Sequence, residues 1–385
     1  MSNTFKFGAG KWAAKEGSVL AYNDENNNFK PLPFTFTRAS TATRVNESGL
    51  IESVASGVPR IDFLDNADGH LLLEPSRTNL IIYSSEFDNA NWSKTGSVVI
   101  ANQAISPSGI LDADLIELDA NLDRLAQIIS SSAGTYTFSF YIKAKEGQSG
   151  IWRSRVNGDS TIYIDTNVND SVWTRVSQTF TLSASGNIVV YPAYRVDGVS
   201  TLFNAYIYGA QIELGSYATS YIPTSGAAVT RAKDVSYQIP PSGVINQEEG
   251  TLYVEFNVST GEGIGGIVEI VNSSSPTNRV LLWDASSGSL INLSANFGSK
   301  SVAITANNIS LGTHKAALTY NSTLTKFFLD GVKIGESQSI TSYTGISKID
   351  LENIAGTVNF QQKRIKEVKL YTTALSDSEL IALTS

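Results

Sequence analysis

Two patterns in this chain could support chemistry. The first is acidic: Glu117 and Asp119, and likewise Asp112 and Asp114, stand two positions apart. On a strand the members of each pair would share one face. Paired carboxylates are what glycoside cleavage requires, and they also occur as solvated surface acids and as calcium ligands. The second pattern is aromatic and basic. Trp152-Arg-Ser-Arg155 is one such run, and Tyr163 stands between Ile162 and Ile164. In the stretch 187–196, Ile188, Val190 and Val196 share a parity that leaves Tyr191 and Arg195 on the other face. Sugars offer apolar C–H faces ringed by hydroxyls, and aromatics with basic partners meet both. Trp152, Arg155, Tyr163, Tyr191 and Arg195 are therefore expected to form a glycan-contacting surface. The alternative is that these side chains pack on a neighbouring subunit or domain.

Other chemistries fall away on composition. The chain has no cysteine, which removes disulfide frameworks, zinc knuckles and thiol nucleophiles. Its only histidines, His70 and His314, lie far apart, and His314 in Gly312-Thr-His-Lys-Ala316 reads as a surface residue entering a strand. Gly261-Glu-Gly-Ile-Gly-Gly266 lacks the Gly-Lys-Ser/Thr of a phosphate cradle. Lys+Arg 28 against Asp+Glu 36 gives 28 − 36 = −8, with no basic cluster, so a nucleic-acid partner is not expected. No apolar stretch approaches the roughly 20 residues of a spanning helix, and the first ten residues lack a secretion signal's apolar core. Membrane insertion is not expected.

The elements that must position these residues read as strands. In 385 residues, 42% hydrophobic and 17% charged, there is material for two or three β-rich domains. In Thr135–Lys145, Tyr136, Phe138, Phe140, Ile142 and Ala144 fall on one face, and most of the opposite face is polar. That period of two marks an antiparallel sandwich strand. Similar runs occur over 173–182, 187–196 and 204–214. The stretch 112–127 reads as a helix or as two short strands. After a linker across 221–243, Leu252, Val254, Phe256 and Val258 restart the alternation. Asp330-Gly331 suits a type I′ hairpin turn. Ile365 and Val368, three apart, need a bulge between them if both are core. Ser376-Asp-Ser-Glu379 offers a capping box for a short closing helix. The opening stretch, with Pro31, Pro33 and Pro75, reads as short extended pieces, either a linker strapped along the next domain or an attachment arm.

Certain of these stretches resemble a known type. Leu71-Leu-Leu-Glu-Pro-Ser-Arg-Thr-Asn-Leu80, Tyr83–Gly96, Thr37-Arg-Ala-Ser-Thr-Ala-Thr-Arg44 and Gln211–Thr224 resemble a module of bacteriophage virion fibre and appendage proteins. Residues 84–232 are similar to carbohydrate-binding-module jelly rolls. Residues 233–385 resemble concanavalin A-like or laminin-G-like sandwiches, through Phe328–Gly331, Ile365–Tyr371 and Ala374–Glu379. The resemblance implies an all-β chain: an extended N-terminal virion-attachment arm (1–83), then two antiparallel jelly-roll sandwiches (84–232 and 233–385). It implies that Trp92 and Trp173 plug a sandwich.

It implies no enzyme, since the Glu-x-Asp-x-x-Glu run of catalytic concanavalin-like proteins is missing. No cofactor is expected. Where such modules often place a calcium-binding aspartate, this chain reads Tyr208-Gly-Ala-Gln-Ile-Glu213, leaving Asp112–Asp114 as the oxygen ligands for any structural calcium. The expected protein is a head or tail fibre at the virion surface. It would be a homotrimer docked through its arm on other virion proteins, with its sandwiches displayed to host surface polysaccharide. A decoration or adaptor protein without ligand, or a polysaccharide depolymerase, is the alternative.

Overall fold

The computed structural model describes residues 2–22, 33–258, 264–285, 292–298, 302–338, 343–351 and 362–385. Pro31 and Gly261–Gly263 lie outside them. The described chain is built almost wholly of antiparallel strands, with one short helix near the end. No helix among the described residues is long and apolar enough to cross a membrane.

The chain divides into two compact units, and the division differs from the expected order of arm, module and sandwich. One unit gathers Met1–Glu47, Val54–Pro75 and Ala232–Ser385; the other holds Ser48–Ser53 and Ser76–Arg231. The leading segment is therefore not an extended arm. Ser2–Lys6 pairs with Lys363–Tyr371, and Arg60–Asp62 and His70–Leu73 continue the same eight-stranded sheet. Trp12–Lys15, Ser18–Ala21 and Phe34–Thr37 form one end of a nine-stranded sheet, beside Val235–Gln238. Phe5, Phe7, Phe34 and Phe36 are buried in a core with Leu252, Val254, Phe256, Ile365 and Val368. The opening stretch thus completes a core that it shares with residues 252–370.

Several local expectations hold. Lys366 is the extra residue of a bulge, since Glu255 faces Glu367 while Phe256 faces Ile365, and Ile365 and Val368 both reach the core. Asp330 and Gly331 have φ of 47° and 77°, the two positive values that a type I′ turn needs. Ser376 caps the helix Asp377–Thr384 in a reciprocal box with Glu379. The stretch 112–127 resolves into strands, Leu111–Glu117 and Arg124–Ser131.

In the larger unit, Arg38 of the stretch 37–44 and Glu74 of the stretch 71–80 serve structure, together with Arg60 and Asp234. Arg38, Arg60, Glu74 and Asp234 have no exposed side-chain surface. Arg38 Nη1 donates to Asp234 Oδ1 at 3.0 Å, Arg60 Nη1 to Glu74 Oε2 at 2.7 Å, and Arg60 Nη2 to Asp234 Oδ2. The Thr43 and Ala55 carbonyls accept from Arg60 and Arg38 at 2.9 and 2.6 Å. Burial disfavours the Arg60 charge, but Asp234 and Glu74 outweigh it and hold the guanidinium above its ordinary pKa. Two cations meet two anions, so the cluster is neutral as a whole.

Near it, His70 Nε2 lies 3.8 Å from Asp62 Oδ1. That carboxylate is shared with other groups. It already accepts from the Val45 and Leu64 N–H groups at 2.9 and 3.1 Å and lies 3.5 Å from Arg364. Burial, then the charges of Arg364 and Lys366, push His70 from 6.5 down to about 3. The unfolded chain thus takes this proton more readily than the folded one. The stability that neutral His70 contributes is full above about pH 6.5 and is lost as pH falls toward 3, by up to about 1.4 kcal/mol per pH unit. Glu269, raised to about 7 by burial and then Asp350, pulls the opposite way over part of that range. The comparison with His70→Asn isolates the histidine: the variant should lose less Tm than the parent between pH 7 and 4. Parallel thermal melts check this, and equal losses would refute it.

Candidate functional site

The Ser76–Arg231 unit holds two five-stranded sheets around one core. One runs Ser93–Thr95, Arg124–Ser131, Gly186–Tyr194, Ser149–Asn157, Thr161–Asn169; the other runs Val98–Ile105, Leu111–Glu117, Asn204–Leu214, Gly134–Ala144, Thr174–Leu182. Tyr136, Phe138, Phe140, Ile142 and Ala144 all face the core, as their alternation predicts.

The outer face of the first sheet carries the candidate site. Along Ser149–Asn157, Trp152, Ser154 and Val156 point inward, which turns Arg153 and Arg155 outward. Ile162 and Ile164 pack on the core from the edge strand and leave Tyr163 and Asp165 outside. Register then sets these residues side by side: Arg153 opposite Asp165, and Arg155 between Tyr163 and Tyr191. Arg153 makes a two-bond clamp on Asp165, both bonds 2.7 Å. This pairing holds the Asp165 carboxyl below its usual range. The Arg153 guanidinium lies 4.8 Å from the Tyr163 ring centre. The Arg155 guanidinium lies 4.8 Å from Tyr191, 5.0 Å from Tyr194 and 5.6 Å from Tyr163. Tyr163 is 47% exposed, so its ring is open to solvent.

Two of the five expected contact residues are corrected. Trp152 is 1% exposed, its indole N–H donates to the Pro192 carbonyl at 2.8 Å, and its ring belongs to the core. It has the parity of Val156, and the basic neighbours in its run have the other. Arg195 lies off the platform: it donates to Asp197 Oδ1 at 3.0 Å and to the Leu118 carbonyl at 2.8 Å, over Phe203 at 4.1 Å. The cause is a bulge. Between the pairs Leu125–Ala193 and Gln127–Val190 the Gly186–Tyr194 strand carries one extra residue. Parity slips there, so Val190 and Ala193 both face the core and Tyr194, not Arg195, joins Tyr191. Tyr194, Arg153 and Asp165 were missed; Asp165 shares the parity of Tyr163. Arg153 was readable from the parity of Trp152 and Val156; Tyr194 was not, because Pro192 inside a β pattern hints at a bulge without locating it.

Elsewhere in this unit, Trp92 plugs the core, its N–H on the Tyr83 carbonyl at 3.0 Å. Trp173 does not: it is half-buried, with Lys143 Nζ 5.4 Å from its ring, because it precedes the strand Thr174–Leu182 and stands over the outer face. One member of each acidic pair is held by neighbouring groups. Glu117 binds Lys145 at 3.1 Å, and Asp114 accepts from the Phe87 and Asn102 N–H groups at 2.7 and 2.9 Å. Burial raises Asp114 to about 6. In the segment 208–213, Gly209 (φ 64°) lies at a bulge where glycine is favoured, by its positive φ and because a Cβ would come within a tight 3.3 Å of the Tyr141 and Tyr221 rings. Glu213 is buried, with Thr219 N–H, Thr219 Oγ1 and Gln211 Nε2 donating to it at 2.8, 2.7 and 2.7 Å. Its lone pairs serve this lock. No group of three or more acids and histidines suited to a metal occurs among the described residues. In the other unit, His314 is held between Asp330 Oδ2 at 2.6 Å and the Ser310 carbonyl at 2.9 Å.

Fold and site together define an all-β protein of sandwich units with an outward aromatic–guanidinium face. No family model and no curated protein sequence matches the chain. Among solved structures, the CBM40 of Ruminococcus gnavus IT-sialidase is 19% identical over 36% of this chain and 84% of its own, with a TM-score of 0.29. Domain 4 of AbnA, a GH43 arabinanase from Geobacillus stearothermophilus, is 13% identical over 44% and 84%, TM-score 0.31. The CBM22 tandem of Paenibacillus barcinonensis Xyn10C is 12% identical over 77% and 98%, TM-score 0.29. Likeness at this level carries no argument about what this chain binds.

Proposed function

We propose that this is a non-catalytic glycan-binding protein whose contact surface is the face bearing Tyr163, Tyr191, Arg153, Arg155 and Asp165, with the buried Tyr194 packed against Arg155 and Tyr191. One observation carries the reading: an open tyrosine ring with two guanidinium groups and a carboxylate locked around it, on a rigid sheet. The ring can stack on a sugar's C–H face while Asp165 and the arginines reach hydroxyls. The setting follows from the sequence resemblance: a head or tail fibre on a phage particle, trimeric, turned toward host polysaccharide. A single open site of this kind gives weak binding, about −4 kcal/mol at millimolar affinity, and several copies on one particle raise avidity by roughly 10²–10⁴.

A glycan array probed with the purified chain tests this. Binding should fall about tenfold or more in Tyr163→Ala, with the melting temperature unchanged. An array blank at high protein density would favour a ligand-free decoration protein. Release of reducing ends from host polysaccharide would instead make it a depolymerase.

A further inference from the structure

We propose that the saccharide taken by this face is acidic, and that the Arg155 guanidinium holds its anionic group; the inference rests on the glycan reading above. The two central arginines are in unlike states. Arg153 is matched by both oxygens of Asp165. Arg155 has no carboxylate within ion-pair distance among the described residues, and its one hydrogen bond there is from Nε to Asn157 Oδ1 at 2.8 Å. The tyrosine rings around it stabilise a cation through their π faces but do not neutralise it. They also hold the planar group in place, so little rotamer freedom is left to lose on binding. Both terminal nitrogens keep their N–H bonds, a fork that suits two oxygens of a carboxylate, sulfate or phosphate better than a single hydroxyl. Arg124, opposite Tyr194 in the adjoining strand, donates to the Leu122 carbonyl at 3.1 Å and adds a second positive charge without a carboxylate partner. The face thus carries Arg124, Arg153 and Arg155 against Asp165, in a chain of net charge −8. A neutral sugar would leave that local excess unused, whereas an acidic one is drawn to it.

The test uses the full chain, immobilised, with five polymers: polygalacturonate for carboxylate, dextran sulfate for sulfate, a poly(glycerol phosphate) teichoic acid for phosphate, and dextran and galactan as neutral controls. At least one acidic polymer should bind about tenfold or more above the neutral ones. Arg155→Gln should lose that margin, Arg155→Lys should keep part of it, and thermal melts of both should confirm folding. Raising salt from about 50 to about 500 mM should weaken the parent more than Arg155→Gln. The acidic arm that responds identifies the anion. Neutral and acidic polymers bound alike, with Tyr163→Ala defective and Arg155→Gln normal, would overturn this inference and leave the glycan reading standing. No binding by any polymer would overturn both.

Discussion

Asp234→Ala should destabilise the unit that contains it by about 3–5 kcal/mol, measured by urea denaturation, because two buried guanidinium groups would lose their shared counter-ion. Arg38 and Arg60 both end on this carboxylate, the Glu74 N–H donates to Asp234 Oδ2 at 2.8 Å, and none of these side chains reaches solvent. Such a loss is a large share of the roughly 5–15 kcal/mol by which a domain is stable, so poor soluble yield would be the same result seen earlier. Asp234→Asn, with the shape kept and the charge gone, should fall between the parent and the alanine variant. A loss under about 1 kcal/mol for Asp234→Ala would show that the cluster relaxes or hydrates. The pairing joins residues 196 positions apart.

Trp152→Ala should cost about 3–5 kcal/mol, by cavity formation and loss of the hydrogen bond to Pro192. Tyr163→Ala, eleven positions on and first grouped with it, should change stability by no more than about 0.5 kcal/mol, since the ring it removes is open to solvent. The two substitutions separate packing from recognition. Denaturant midpoints distinguish them directly: if both variants melt like the parent, the indole is not part of the core; if both collapse, the tyrosine is not a free platform.

Much of the architecture was legible because strand parity is local. The alternation of Tyr136 to Ala144, the Asp330-Gly331 turn, the bulge between Ile365 and Val368, and the Ser376 cap each depend on a few neighbours along the chain. The site was legible by half. Arg155, Tyr163 and Tyr191 meet as expected, since each is opposite a core residue in its own strand. Trp152 and Arg195 failed for different reasons. Trp152 was grouped by nearness in sequence against its own parity, and Arg195 by a parity that an unseen bulge reversed.

The sequence by itself determined that this chain is β throughout, where most of its strands alternate, and that its exposed chemistry is aromatic and basic without thiols or clustered histidines. Only the tertiary structure decided that the opening segment supplies strands to the unit completed by residues 232–385, and that Glu74 and Arg38 are locked in a neutral buried cluster instead of being presented outward. The reason is one of range. Alternation and turn chemistry act over a few residues and are written locally. Strand partners, bulges and the matching of buried charges depend on groups brought together only when the chain closes, and no short stretch of sequence contains both halves of the pair.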